Sequence, residues 1–163
     1  MMLGMSLPVF TEVHVAISLF GIFTGLVVLF GMLSGHWLAK WNRLFLLSTV
    51  LTSVTGFMFP FTAVGPPHII GAVSLIVLAF ALMALYRHRL TGAWRWVYVL
   101  AASLALYLNV FVAVVQAFLK IPYFMALAPT QSEAPFQAAQ AVVLVIFVIM
   151  AVVAVRKFRP QTG

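Results

Sequence analysis

The chain has 163 residues, 65% hydrophobic and 7% charged, where a soluble domain carries about 25% charged residues, so an ordinary soluble globular protein is excluded. Nine Lys and Arg stand against two acids, Glu12 and Glu133, for a formal charge of +7; these charges flank apolar stretches and answer to membrane insertion, with no nucleic-acid partner expected. Cysteine is absent, which excludes disulfides, thiolate nucleophiles and cysteine-ligated iron–sulfur clusters.

A membrane-spanning helix needs roughly 20 predominantly apolar residues. Continuous apolar runs predict five of them, at approximately 12–34, 44–64, 68–86, 97–118 and 136–155. In the first, His14, Ser18, Gly21 and Gly25 follow one helical face, and the Gly21–Gly25 and Gly31–Gly35 steps permit close helix approach. Its start is open, because Thr11 and Ser6 both suit an N-cap. The second is rich in hydroxyls (Ser48, Thr49, Thr52, Ser53, Thr55), suited to interhelical bonding, and Gly56 and Pro60 loosen its end. Pro66 and Pro67 impose an extended turn before His68 opens the third. On the fourth, Asn109, Gln116 and Lys120 share a face, and a carboxamide such as Asn109 in hydrocarbon needs a partner or a cavity. An outer loop, 119–135, follows; it is the longest connection and could cap the bundle before Gln137 and Gln140 begin the fifth helix.

Short connections predict a compact all-α bundle of five transmembrane helices forming a single domain, 1–163. Lys40, Arg43, Arg87, Arg89, Arg95, Arg156, Lys157 and Arg159 fall on one side, with Lys120 alone on the other. The positive-inside bias then predicts the N-terminus outside and the C-terminus inside. Trp37, Trp41, Trp94 and Trp96 mark the cytoplasmic interface, and anionic headgroups are the partners expected there. With no basic residue before Lys40, a cleavable signal peptide is not expected.

The expected site lies at the outer face, where His14 and His68 each sit near the outer start of a helix. Neutral imidazole is the commonest metal ligand and carboxylates add oxygen donors, so His14, His68, Glu12 and Glu133 are candidate metal ligands. Glu12 and His14, two residues apart, both point inward only if the helix starts after them. His36 and His88 fall in the basic loops and read as headgroup contacts. Phosphate loops, dinucleotide fingerprints, nucleophile elbows and zinc-protease motifs are missing from the sequence.

Residues 52–61 (Thr-Ser-Val-Thr-Gly-Phe-Met-Phe-Pro-Phe) and 127–136 (Leu-Ala-Pro-Thr-Gln-Ser-Glu-Ala-Pro-Phe) resemble those of an uncharacterised family of small bacterial inner-membrane proteins. That resemblance implies the bacterial inner membrane and lends no activity. His14 and His68 at matched depth look more loosely like b561-type membrane cytochromes. This implies a b-type haem, with His14, His68, Gln116 and Lys120 as cofactor-binding candidates, and a quinone as a possible partner. The expected function is therefore a small haem- or quinol-linked redox protein. The alternatives are a cation or proton transport protein, with a divalent metal ion or no cofactor, and an accessory subunit joined to a membrane partner or to copies of itself.

Overall fold

The computed structural model describes residues 4–60 and 65–160 and is built of helices. They are α1 (Leu7–Leu33), α2 (Ala39–Gly56), α3 (Pro66–Leu82), α4 (Trp94–Lys120), a short α5 (Pro122–Leu127) and α6 (Ala134–Lys157). One π-helical turn, Met83–Arg87, prolongs α3. Four helices, Leu7–Leu33, Pro66–Arg87, Trp94–Lys120 and Ala134–Lys157, are long and apolar enough to cross a membrane. The chain is thus an all-α integral membrane protein. α2 does not meet the same measure: its 18 residues include Lys40, Asn42 and Arg43.

Local chemistry explains where the helices begin and end. α1, α3, α5 and α6 each carry proline in the first turn, where its missing N–H costs nothing and its fixed φ suits the helix. Pro8 lets α1 start at Leu7, five residues before the expected position 12, with Ser6 in the N-cap position. Thr11 is then inside the helix, its hydroxyl donating to the Leu7 carbonyl at 2.8 Å. At the other end of α1, Gly35 adopts φ +74°. The His36 and Gly35 N–H groups return to the Gly31 and Met32 carbonyls at 2.8 and 3.1 Å, closing the helix with a Schellman motif.

α2 runs from Ala39 to Gly56 rather than over 44–64. Its first turn takes up the polar residues that the apolar pattern assigned to a loop, and residues 61–64 of the expected span lie outside the described residues. The expected outer loop 119–135 holds the last two residues of α4, all of α5 and the first two residues of α6.

α4 is the hub, packing against α1, α3, α5 and α6, while α2 lies chiefly along α1 and touches α3. Antiparallel packing of α1 and α2 brings His14 to Thr55 near one end of the pair. Farther along, a Cβ at Gly25 would meet Phe45 at 2.8 Å and Leu106 at 2.6 Å. The two glycine-bearing turns therefore bring α1 close to α2 and α4, as small residues do at membrane helix contacts. The core is continuous through Val28, Leu29, Phe45, Leu46, Leu78, Tyr98, Ala102 and Leu106. α6 is held to α4 at two levels: Gln140 Nε2 donates to the Phe111 carbonyl at 3.2 Å, and Arg95 Nη1 to the Val155 carbonyl at 2.8 Å.

Candidate functional site

The candidate site is the end of the bundle where α1 and α3 begin and α2 terminates. His14 projects from the second turn of α1 onto the last turn of α2. Its Nδ1 lies 2.7 Å from Thr55 Oγ1. The imidazole also meets the Phe59 ring edge-on, with centroids 5.1 Å apart, and Phe59 in turn packs on buried Phe10 at 5.0 Å. Gly56 borders the ring on the α2 side, where a Cβ would stand at an ordinary contact distance of 3.8 Å from His14 Cε1.

The hydroxyl of Thr55 has one hydrogen, and its position selects the tautomer of His14. Thr55 Oγ1 is 2.7 Å from the Leu51 carbonyl and 3.2 Å from that of Thr52, both of which can only accept. Once the hydroxyl hydrogen goes to Leu51, Thr55 offers a lone pair, and Nδ1 must donate. Neutral His14 then carries its hydrogen on Nδ1 and presents a bare Nε2. Ser18, one turn on, donates its own hydroxyl to the His14 carbonyl at 2.7 Å.

His68 is built differently. It stands in the first turn of α3, where the Gly65 N–H donates to its Nδ1 at 3.2 Å. In the neutral ring the hydrogen therefore sits on Nε2. Phe57 faces the imidazole at 6.1 Å, and a Cβ at Gly71 would meet Phe57 at 3.0 Å. Both histidines thus lean on the end of α2, His14 through Thr55 and Phe59 and His68 through Phe57.

The remaining expected residues are distributed around this centre. Glu12 is exposed on α1, about 200° round the helix from His14, because the helix has already begun at Leu7. Glu133 occupies the N-cap position of α6 and closes its own turn. Its carboxylate accepts from the Thr130 hydroxyl at 2.9 Å and from the Thr130 and Ser132 N–H groups at 3.2 and 3.1 Å. Desolvation acts to raise the Glu133 pKa, but the hydrogen bonds from Thr130 and the backbone outweigh it and hold the group below 4.5. Gln116 and Lys120 are exposed on α4, and the Lys120 charge is within electrostatic reach of His14. Among the described residues no three His, Cys, Asp or Glu side chains gather closely enough to hold a metal ion. The four expected metal ligands are therefore not brought together, for the two local reasons given: Glu12 faces away and Glu133 is committed to its loop.

At the opposite, basic end the structure contains a polar cluster that hydropathy did not mark. Tyr98 donates its hydroxyl to Asn42 Oδ1, and both residues are fully buried. Trp37 packs edge-on to Tyr98 at 5.9 Å and touches Phe158. Arg95 caps α6 by donating to the Val155 and Phe158 carbonyls. His88 stacks flat on Trp94 at 3.8 Å, and His36 is exposed beyond α1. The signal for Asn42 was present in the sequence: a lone carboxamide among basic residues at the start of an apolar stretch.

No protein-family model matches the chain, and neither does a curated protein or a solved structure.

Proposed function

We propose that this is a five-helix membrane protein, N-terminus outside and C-terminus inside, that works as a small redox protein by binding a b-type haem through Nε2 of His14. The single observation carrying this reading is the 2.7 Å contact of His14 Nδ1 with a threonine hydroxyl that has the Leu51 carbonyl as an acceptor at 2.7 Å. Histidines that ligate metals almost always donate their other ring N–H to a fixed acceptor, which sets the tautomer and the ring plane. Haem at this position would supply one-electron chemistry, with a quinol as the lipid-soluble partner. His68 does not enter as the second ligand, because its Nδ1 accepts from Gly65 and its Nε2 carries the hydrogen.

The topology part of the proposal rests on α2. At 18 residues it is about 27 Å long, close to a bilayer core, and it lies along α1 with Lys40 and Arg43 in its opening turns. Those two cations can reach the headgroups along their flexible stems. The bacterial inner membrane is the proposed setting on the sequence resemblance, and the charge asymmetry is compatible with it.

The test is an absorption spectrum of protein expressed with haem supplied. A Soret band in the unsubstituted protein that disappears in His14→Ala and survives in His68→Ala supports the assignment. Thr55→Val keeps the band and shifts the reduction potential. A protein that purifies folded and colourless, or a band indifferent to His14→Ala, overturns it.

A further inference from the structure

The outward side of the α1–α2 seam is a groove of about 340 Å³. Its rims are Ala16 and Phe20 on α1 and Leu44, Leu47 and Leu51 on α2, with Ile17 and Ser48 between them. The helices meet closely beneath, where a Cβ at Gly21 would lie 3.2 Å from Ser48 Oγ, while Phe20 and Leu47 stand 45% and 60% exposed on either side. The polar residue of the lining is already committed: the Ser48 hydroxyl donates to the Leu44 carbonyl at 2.7 Å and lies 3.1 Å from that of Phe45. The groove therefore offers hydrocarbon to the membrane and suits a flexible apolar chain rather than a polar ligand.

Charge decides what stands at the end of the groove. Lys40, Leu44, Leu47 and Leu51 recur at i, i+4, i+7 and i+11 and so share one face of α2. Followed toward the start of α2, the wall of the groove leads to an ammonium group, with Arg43 about 60° round the helix from it. Trp41 packs edge-on to Phe23 of α1 at 5.9 Å, on the α1 side of the same path, where an indole bridges apolar and wet zones. Lys40 and Arg43 are exposed, and among the described residues neither side chain has a hydrogen bond or ion pair. The only two acids, Glu12 and Glu133, belong to the opposite end of the bundle. From Leu51 to Lys40 is about 16 Å of helix, against about 15 Å for half a bilayer core, so the path has the depth of one leaflet.

We infer that the α1–α2 groove binds one anionic phospholipid of the leaflet at the basic end, with an acyl chain lying in the groove and the phosphate held by Lys40 with Arg43 beside it. A zwitterionic headgroup brings an ammonium into a region that holds only cations, whereas a net-negative headgroup meets two that lack partners. Every cation at this end attracts anionic lipid diffusely. The groove adds a fixed seat for the chain, and that seat separates a retained lipid from the passing ones. Lipid binding here requires no haem and goes beyond the redox reading.

The full chain, stripped of lipid in detergent micelles, is titrated with dioleoyl phosphatidylglycerol or dioleoyl phosphatidylcholine. Native mass spectrometry reads the dissociation constant of the first lipid bound. Phosphatidylglycerol is expected to bind at least about tenfold more tightly. A cation beside an anionic headgroup is worth about fivefold in affinity, so Lys40→Gln should weaken phosphatidylglycerol by about that factor. Lys40→Gln and Arg43→Gln together should weaken it further and leave phosphatidylcholine unchanged. Arg156→Gln with Arg159→Gln is the control, because it removes two exposed cations of the same end but from α6 and its tail, and it should change neither lipid. Ala16→Phe fills the groove from an exposed position and keeps every cation, so it should weaken both lipids. Equal affinity for the two lipids, a loss as large in the α6 control, or unchanged binding to Ala16→Phe overturns the site.

Discussion

Removing the Tyr98 hydroxyl is the most informative test of the buried packing. Tyr98 is 0% and Asn42 1% exposed, and the hydroxyl is the partner of Asn42 Oδ1. Asn42 Nδ2 already lacks a protein partner. Tyr98→Phe therefore strands the whole carboxamide. Interhelical hydrogen bonds in membrane proteins average about 0.6 kcal/mol, because the unfolded helices also find partners. A buried acceptor left unpaired costs about 1–3 kcal/mol. The second quantity governs here, since the ring stays and only the partner is lost, and the expected loss is about 1.5 kcal/mol. Asn42→Ala removes the same bond from α2. The two substitutions together should cost less than the sum of each alone by about 1 kcal/mol, the signature of a direct pair. Unfolding by SDS in mixed micelles, followed by tryptophan fluorescence, measures all four proteins, with Trp37 5.9 Å from the Tyr98 ring as a local reporter. A Tyr98→Phe protein within about 0.3 kcal/mol of the parent, or strictly additive losses, would refute the buried pair.

Gly25→Ala should destabilise the bundle despite alanine's better helix propensity. The gain is at most about 1 kcal/mol, while forcing a methyl to 2.6 Å from Leu106 and 2.8 Å from Phe45 costs about 1–3 kcal/mol of overpacking; a thermal midpoint equal to or above the parent's would contradict the close approach. Arg95→Gln removes the donors to the Val155 and Phe158 carbonyls and should cost about 1 kcal/mol, with faster hydrogen exchange confined to the last turn of α6. Glu133 has a folded pKa below 4.5, so its hydrogen bonds stabilise the fold above that value, and the contribution is lost as pH falls through the lower folded pKa. Glu133→Gln should consequently melt lower than the parent at neutral pH, and the gap should close in acid.

The helices were legible because apolar length is a property of single segments. Their starts are less so: Pro66 and Pro67 read as a turn before the third helix and Pro135 falls in the expected outer loop, yet these prolines and Pro8 lie in the first turns of α3, α6 and α1. α2 was misplaced along the chain for an equally physical reason. Lys40, Asn42 and Arg43 read as a loop by hydropathy, yet they occupy helix, where Asn42 pairs with Tyr98 from a segment 56 positions away. No local pattern carries that information. The same limit applies at the site. The face shared by His14, Ser18, Gly21 and Gly25 could be read from spacing, but its partner Thr55 could be chosen only once the α1–α2 register was known.

That register is what gives the polar residues distinct duties. Five hydroxyls on α2 look interchangeable in sequence, and the structure separates them by face. Ser53 bonds back to Thr49 at 3.0 Å and faces the core, whereas Thr55, Thr52 and Ser48 descend along α1. α1 matches them with His14, Ser18 and Gly21, and the glycine is the rung where α4 can present Asn109. One turn lower, a second glycine serves the opposite end, admitting Phe45 and Leu106 so closely that nothing polar fits. Two identical residues four positions apart thus divide the bundle, the first by making space for a polar group and the second by allowing its exclusion. A Gly21→Ala substitution should therefore displace Ser48 by a few tenths of an ångström and crowd Asn109, while Gly25→Ala perturbs stability.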